Sequence, residues 1–307
     1  MKILLTGSTG MVGRNILEHH YANSYTLLTP NSSELDLLDL KAVNVFLKIH
    51  KPDLVVHAAG IVGGIEANIS NPVKFLSGNL LMGLNILNAS MNFGIEKFIN
   101  IASSCMYPVN AKNPLSEEQI LDGKLEPTNE GYAIAKIAVA KLCDYISREN
   151  SSLDYKTVIP CNMYGKYDNF NPKSSHMIAA VIRKIHEAKS QKKLSVNIWG
   201  DGKARREFMY AGDFADFIFY AIKNFGEMPN ILNVGIGHDN SVEDYYISIS
   251  KALNYEGNFN YEISKPVGMH QKLLDSSRLV KFGWSHKTNL DNGIQSTYEH
   301  FFTKDDK

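Results

Sequence analysis

An open, mainly parallel α/β sheet with helices wound on both faces, followed by a smaller mixed α/β lobe, is the fold the sequence predicts. Short apolar runs alternate with helical patterns over the first two-thirds of the chain, as in successive βαβ units. A glycine-rich turn follows the first of these runs directly. With 307 residues, 44% of them hydrophobic, the chain can fill a complete core without disulfide or metal staples.

The elements follow in order. "KILLT" at 2–6 is a β-branched and aliphatic run of strand length, and it ends at the glycines of "TGSTGMVG". A helical pattern at 11–22 leads to a second strand, "YTLLT" at 25–29. Helix 41–50 precedes "DLVVHA" at 53–58, helix 72–93 precedes "EKFINIA" at 96–102, and helix 129–149 precedes "YKTVIP" at 155–160. Each strand is a continuous apolar run, the pattern of a parallel strand covered on both faces. Beyond about residue 165 the pattern becomes mixed, with short strands such as "VNIWG" and "NILNVG" and a last helix at 290–302. The reading is therefore a Rossmann-like domain over 1–165 and a mainly substrate-binding lobe over 166–307, whose chain can cross back to the first domain. No internal repeat or linker separates the two.

Composition excludes several classes of function. The 32 basic and 32 acidic residues balance, so the chain has no electrostatic footprint for a nucleic-acid backbone or an anionic membrane. Cys105, Cys143 and Cys161 form no CxxC pair, and no HExxH or Cys/His cluster marks a metal site; free thiols and no metal are expected. The opening "MKILLTGSTG" has the pattern of neither a signal peptide nor a membrane span, and a cytoplasmic protein acting on a small molecule is the expectation.

Gly7, Gly10 and Gly13 are spaced GxxGxxG between the first strand and first helix. Glycines there permit a tight turn and let backbone N–H groups approach a pyrophosphate at the helix N-terminus. An acid at the end of the second strand would accept the adenosine ribose hydroxyls of NAD; here Thr29, Pro30, Asn31 and Ser32 come first and Glu34 only later. With Arg14 just past the third glycine available to a 2′-phosphate, the expectation is NADP(H). Arg14 can equally be a solvated helix residue.

"EGYAIAK" places Tyr132 and Lys136 one helical turn apart on one face. A cationic neighbour favours the phenolate and makes a tyrosine a better proton donor and acceptor near neutral pH. The motif recurs as Tyr261 and Lys265 in "YEISK", in a strand-like stretch of the C-terminal lobe. Only the first copy lies on a helix with serines at a strand end some thirty residues upstream, in "SSCMYP". A hydroxyl, a phenol and an ammonium would thus meet at the carboxyl edge of the sheet, where ligands of such folds bind.

With these motifs, "LEPTNEGYAIAK", "CNMYGKYDNF", "SSHMIAAVIRKIHEAK", "WGDGKARREFMY", "LNVGIG" and "KLLD" in that order, the sequence resembles the GDP-L-fucose synthase family of extended short-chain dehydrogenase/reductases over nearly the whole chain. The resemblance implies a bifunctional site for a GDP-linked 4-keto-6-deoxy sugar. Cys105 and His176 would move protons at C3 and C5, NADPH would reduce C4, Tyr132 would protonate the alkoxide, Ser103 would bond the carbonyl, and Lys136 would support Tyr132 and the nicotinamide ribose. It further places Thr9, Met11, Val12, Asp39, Ala58, Pro160, Asn162, Met163 and His176 along the cofactor, and Ser104, Asn162, Lys184, Trp199, Arg206 and Lys272 along the sugar nucleotide. It also implies a homodimer through the 72–93 and Tyr132 helices. By themselves, Cys105 reads as a small buried plug, Lys184 as one charge on a solvated helix, and His57 in "VVHAAG" as structural.

Departures from the family pattern gather where substrate is expected. Val267 stands where aspartate is common, Met269 for threonine, Gln271 for arginine, Gly131 for proline, and Tyr210 and Gly212 for His and Asp. An apolar Val267 and the space at Gly131 would suit a related sugar, a 3,6-dideoxyhexose or a heptose, reduced with little or no epimerisation. A catalytically silent dinucleotide-binding regulator is the alternative from another class. The retained Ser103, Tyr132 and Lys136 weigh against it, since a regulator has no need of a proton apparatus.

Overall fold

The computed structural model describes residues 1–172, 174–265 and 267–305, with side chains as far as Phe302. Its first half runs β1 (Lys2–Thr6), α1 (Met11–Glu18), β2 (Thr26–Leu28), α2 (Leu40–His50), β3 (Leu54–His57), α3 (Ile65–Ser70), α4 (Pro72–Asn92), β4 (Lys97–Ile101), α5 (Glu130–Glu149) and β5 (Asp154–Pro160). The second half runs β6 (Asn162–Tyr164), α6 (Met177–Ser190), β7 (Ser195–Trp199), β8 (Arg205–Arg206), β9 (Phe208–Tyr210), α7 (Ala211–Lys223), β10 (Ile231–Val234), β11 (Asn240–Ser241), α8 (Val242–Leu253), β12 (Asn258–Glu262), β13 (Gln271–Lys272), α9 (Ser277–Phe282) and α10 (Leu290–Asp305).

Six strands make one parallel sheet in the order β10-β5-β4-β3-β1-β2. The direction of winding reverses beside β1, and ligands of such sheets bind at the carboxyl ends of the strands near that reversal. β3 is buried along its whole length and β4 at all but Lys97, as strands covered on both faces must be. One apolar core, with Ile3, Ile99, Val158, Phe214 and Phe217, lies on the α1/α7 side of the sheet. A second, with Leu4, Val43, Leu87, Phe98 and Tyr155, lies on the α2/α4/α5 side.

The segment "NILNVG" is an edge strand of this large sheet, β10 on β5, so the chain returns to the sheet after leaving it. Helix α1 ends at Glu18, short of the expected residue 22, because a 3-10 turn at His20–Ser24 takes over, with the His19 side chain accepting from Tyr21 N. Helices α7 and α8 lie in the stretch read only as mixed. α7 is buried almost all round, so it shows no polar stripe to read, whereas α8 opens with a capping box formed by Ser241 and Asp244. A third core, with Ile178, Ile182, Ile198, Phe208 and Tyr245, joins α6, α8 and α10 to β7. Two short pairs, β12 on β7 and β6 on β9, and a three-stranded sheet, β11-β8-β13, complete the second half. Among the described residues, no helix is long and apolar enough to cross a membrane and no cluster of His, Cys, Asp and Glu could hold a metal.

Candidate active site

The glycine turn fits a pyrophosphate. Gly7 has φ +70°, which an L side chain rarely adopts, and a Cβ on it would meet the Ala58–Ala59 backbone at 2.6–2.7 Å. Gly10 caps α1 without any side-chain bond, leaving the first-turn amides for an anion. Thr9, Met11 and Val12 flank this turn, with Thr9 and Gly10 exposed. Arg14 Nε donates to Thr9 O at 3.0 Å, and its guanidinium lies 5.0 Å over the Tyr167 ring, so the cation is held beside the turn. At the end of β2, Ser8 Oγ donates to Thr29 O at 3.1 Å. Glu34, the first acid after β2, accepts from Asn31 N at 2.8 Å and is committed to that loop. Asp39 caps α2 by accepting from Lys41 N and Ala42 N, a structural use of its carboxylate.

At the ends of β4 and β5 the second group assembles. Ser103 follows β4 and opens a 3-10 turn, Ser104–Met106, with its hydroxyl accepting from Cys105 N at 3.4 Å. The same hydroxyl stands near enough to the Cys105 thiol and the Tyr132 phenol to favour the charged form of each, so one serine lies close to both proton-bearing groups. Lys136 is buried, its ammonium 5.7 Å from the Tyr132 ring centre and donating to Ile101 O at 2.9 Å. Ser104 is buried behind the turn.

Burial dominates the electrostatics here. It pushes Tyr132 well above its ordinary pKa; a charged Cys105 would push it further, and the Ser103 hydroxyl opposes only in part. The lowering expected of Tyr132 from Lys136 is therefore outweighed, and the phenol stays protonated at neutral pH. Burial also brings Lys136 down to about 8, against the pull of Cys105. The Cys105 thiol is pushed up by burial, while Lys272, the Ser103 hydroxyl and Lys136 pull it down.

Lys272 and Arg206 come from opposite each other on the parallel pair β13 and β8. Lys272 stands within electrostatic reach of Cys105 and of Arg206; burial lowers both cations, and Glu126 holds both up. Arg206 spends one N–H on Arg205 O and one on Val267 O, each at 2.7 Å, and its other donors have no further partner among the described residues. Lys184 is occupied otherwise: its ammonium donates to Asn197 O at 2.7 Å and to Tyr246 Oη at 3.0 Å, which ties α6 to β7 and α8. Trp199 is partly exposed at the end of β7, with the Lys265 ammonium 5.2 Å over its ring. The other half of that second tyrosine-lysine pair, Tyr261 Oη, bonds Glu243.

His176 is the N-cap residue of α6, exposed as a whole, and desolvation by the protein around it lowers its pKa. Its loop rests on the turn at 60–64, where Gly64 N donates to Ser174 O at 3.4 Å. That turn is next to Lys136, since a Cβ on Gly60 would lie 3.8 Å from the ammonium. Pro160 ends β5, and Asn162 and Met163 follow in β6, with Asn162 Nδ2 donating to Glu207 O at 3.1 Å. A cavity of about 180 Å³ borders Tyr132, lined by Asn68, Pro72, Phe75, Pro127 and Gly131 among others. A Cβ on Gly131 would stand 3.1 Å from Pro72 O, so the glycine keeps this wall open.

Three supporting residues were not anticipated. Asn79 accepts from Ile61 N at 2.8 Å and donates to Ile61 O and Phe75 O, fixing the turn over Lys136. Thr6 bonds His57 Nδ1 at 2.9 Å and accepts from Ala59 N; burial brings that histidine down to about 3, so it is neutral. Glu126 faces the two cations. A polar residue within an apolar helix face, as at Asn79, was the only sequence signal any of them carried.

A model of the NAD dependent epimerase/dehydratase family matches residues 3–235. The chain is 57% identical over 304 residues to a GDP-L-colitose synthase of Yersinia pseudotuberculosis, covering 99% of each chain. It is 45% identical over 302 residues to a GDP-L-fucose synthase of Azorhizobium caulinodans, covering 98% of this chain and 96% of the other. Among solved structures, a GDP-mannoheptose C4 reductase from Campylobacter jejuni with NADP bound superposes with a TM-score of 0.88 at 31% identity, over 98% of each chain.

Proposed function

The chain belongs to the NAD dependent epimerase/dehydratase family, and we propose that within it the protein reduces the C4 ketone of a GDP-linked 4-keto-6-deoxy sugar with NADPH and epimerises the carbons beside that ketone. The observation that carries this reading is a thiol and a phenol gathered at one serine, with the Lys136 ammonium 5.7 Å from the phenol ring and Lys272, paired with Arg206 across two strands, within electrostatic reach of the thiol. A plain reductase would need the phenol and lysine but has no use for the thiol.

A ketone at C4 acidifies the C–H bonds at C3 and C5. The Cys105 sulfur takes the proton as thiolate, a form that Lys272 and Lys136 favour once substrate closes the cleft. The electron pair goes to the ketone oxygen, where Ser103 and Tyr132 donate hydrogen bonds. His176, in its protonated form, returns a proton to the opposite face. When bound, NADPH supplies hydride to C4; Tyr132, protonated in the resting site, then gives its proton to the new alkoxide. The GDP diphosphate lies against Arg206 and Lys272, and the cofactor pyrophosphate against the Gly7/Gly10/Gly13 turn, with Arg14 toward the 2′-phosphate. In this reading the lobe over 166–307 supplies most substrate contacts.

A second reading concerns the sugar. Val267, an exposed apolar residue whose backbone oxygen accepts from Arg206, stands near this cation, and colitose, in the name of the 57% identical relative, is a 3,6-dideoxyhexose. A deoxy carbon tolerates an apolar wall better than a hydroxyl does. The experiment is turnover of GDP-4-keto-6-deoxy-mannose and its 3-deoxy analogue with NADPH in deuterated water, with NMR of the product. Deuterium at C5 with inversion, abolished in Cys105→Ser while reduction persists, is expected. Reduction without deuterium would sink the epimerase half, and no NADPH consumption on either substrate would sink the whole reading.

A further inference from the structure

Glu207 follows Arg206 directly and is 1% exposed. Among the described residues no cation bonds its carboxylate. Instead Oε1 accepts from Ile236 N at 2.6 Å and Gly237 N at 2.9 Å, and Oε2 accepts from Leu274 N at 3.0 Å. A buried carboxylate held by backbone amides is costly to build, and these amides come from two segments far apart in sequence, which Asn233 Nδ2 also ties by donating to Asp275 O at 3.2 Å. Ile236 and Gly237 continue from the carboxyl end of β10, the edge of the large sheet. Leu274 lies two residues past Lys272 and bridges to Leu115. The loop leaves room for the carboxylate at Gly235, where a Cβ would stand 2.5 Å from Glu207 Oε1. The other end of the β8-β13 pair is tied separately, with Arg205 and Gln271 both bonded to Asp239.

We propose that Glu207 is a positioning residue for the sugar-nucleotide diphosphate: its carboxylate anchors the β8-β13 pair to the large sheet and so sets where Arg206 and Lys272 stand relative to Cys105. This rests on the reading that those two cations face the diphosphate. The backbone of β8 and β13 is only two residues long in each strand, too short to fix its own position. Glu207 lies between β8 and β9, buried directly after the half-buried Arg206. A displaced carboxylate would therefore move both cations together, with no change at the nicotinamide side.

The test compares Glu207→Gln, Gly235→Ala and Arg206→Gln in the full chain. An amide at 207 turns a donor toward Leu274 N, and an alanine at 235 pushes Oε1 away while leaving the carboxyl group in place. GDP affinity is measured by calorimetry, with KM and kcat for GDP-4-keto-6-deoxy-mannose and the Kd of NADPH alongside. Glu207→Gln and Gly235→Ala should each weaken GDP and raise KM about tenfold, the scale of one buried hydrogen bond to a charge, with kcat and NADPH affinity within about threefold. Unchanged GDP affinity in both variants, with Arg206→Gln weakened, overturns the positioning role and leaves the proposed reaction standing. Unchanged affinity in Arg206→Gln refutes the diphosphate contact itself, and the positioning role with it. Should Glu207→Gln fail to fold, Gly235→Ala decides by the same split between KM and kcat.

Discussion

Gly13→Ala isolates the cofactor turn from everything else in the site. A Cβ at residue 13 would stand 2.3 Å from Gly7 O, 2.6 Å from Ser8 Cα and 2.9 Å from Gly7 C. All three are backbone atoms, so no rotamer change can relieve the contact. Ordinary van der Waals separation requires the turn and α1 to part by about 1 Å, which also strains the Gly10 N to Gly7 O bond of 3.1 Å. Overpacking of this kind costs ~1–3 kcal/mol. If the turn takes the displacement, ~2 kcal/mol of it appears as about a 30-fold weaker NADPH affinity, read by titrating NADPH fluorescence. GDP binding, on the far side of the cleft, should hold. An NADPH Kd within twofold of the wild type would refute the argument that this turn cradles the pyrophosphate.

Three further outcomes are expected. Tyr132→Phe should lower NADPH oxidation by ~10²–10⁴-fold while solvent exchange at the carbon acid continues; undiminished reduction would remove the phenol as proton donor. Lys136, lowered to about 8, carries its charge below that pH and loses it above, so the wild-type rate should fall as pH rises through about 8 with the loss of the cation that supports Cys105. A rate that holds flat well above pH 8 would mean this ammonium is dispensable to the chemistry. The exposed Val73 and Leu81 of α4 and Ile134 and Tyr145 of α5 leave apolar surface on adjoining helices. Sedimentation at twice the chain mass, reduced to one by Leu81→Glu, would support a homodimer through that face; a monomeric wild type would exclude it.

The sequence by itself determined the large sheet and the local motifs. Apolar runs at strand length, a glycine spacing that admits a backbone turn, and a tyrosine and lysine one helical turn apart are all short-range codes, and each dictates its geometry without help from distant residues. The tertiary structure alone decided what those motifs meet. Lys272 reaches Cys105 through a pairing of two-residue strands too brief to leave a periodic signal, and Glu207 works through amides from two remote loops. The resemblance to a family brought Lys184 forward as readily as Lys272, yet packing ties Lys184 to Asn197 O and Tyr246 and leaves Lys272 within electrostatic reach of the thiol. Protonation was likewise hidden. Spacing alone put a cation beside Tyr132 and suggested a lowered pKa, but desolvation depends on everything packed around the phenol, and that sum reversed the direction.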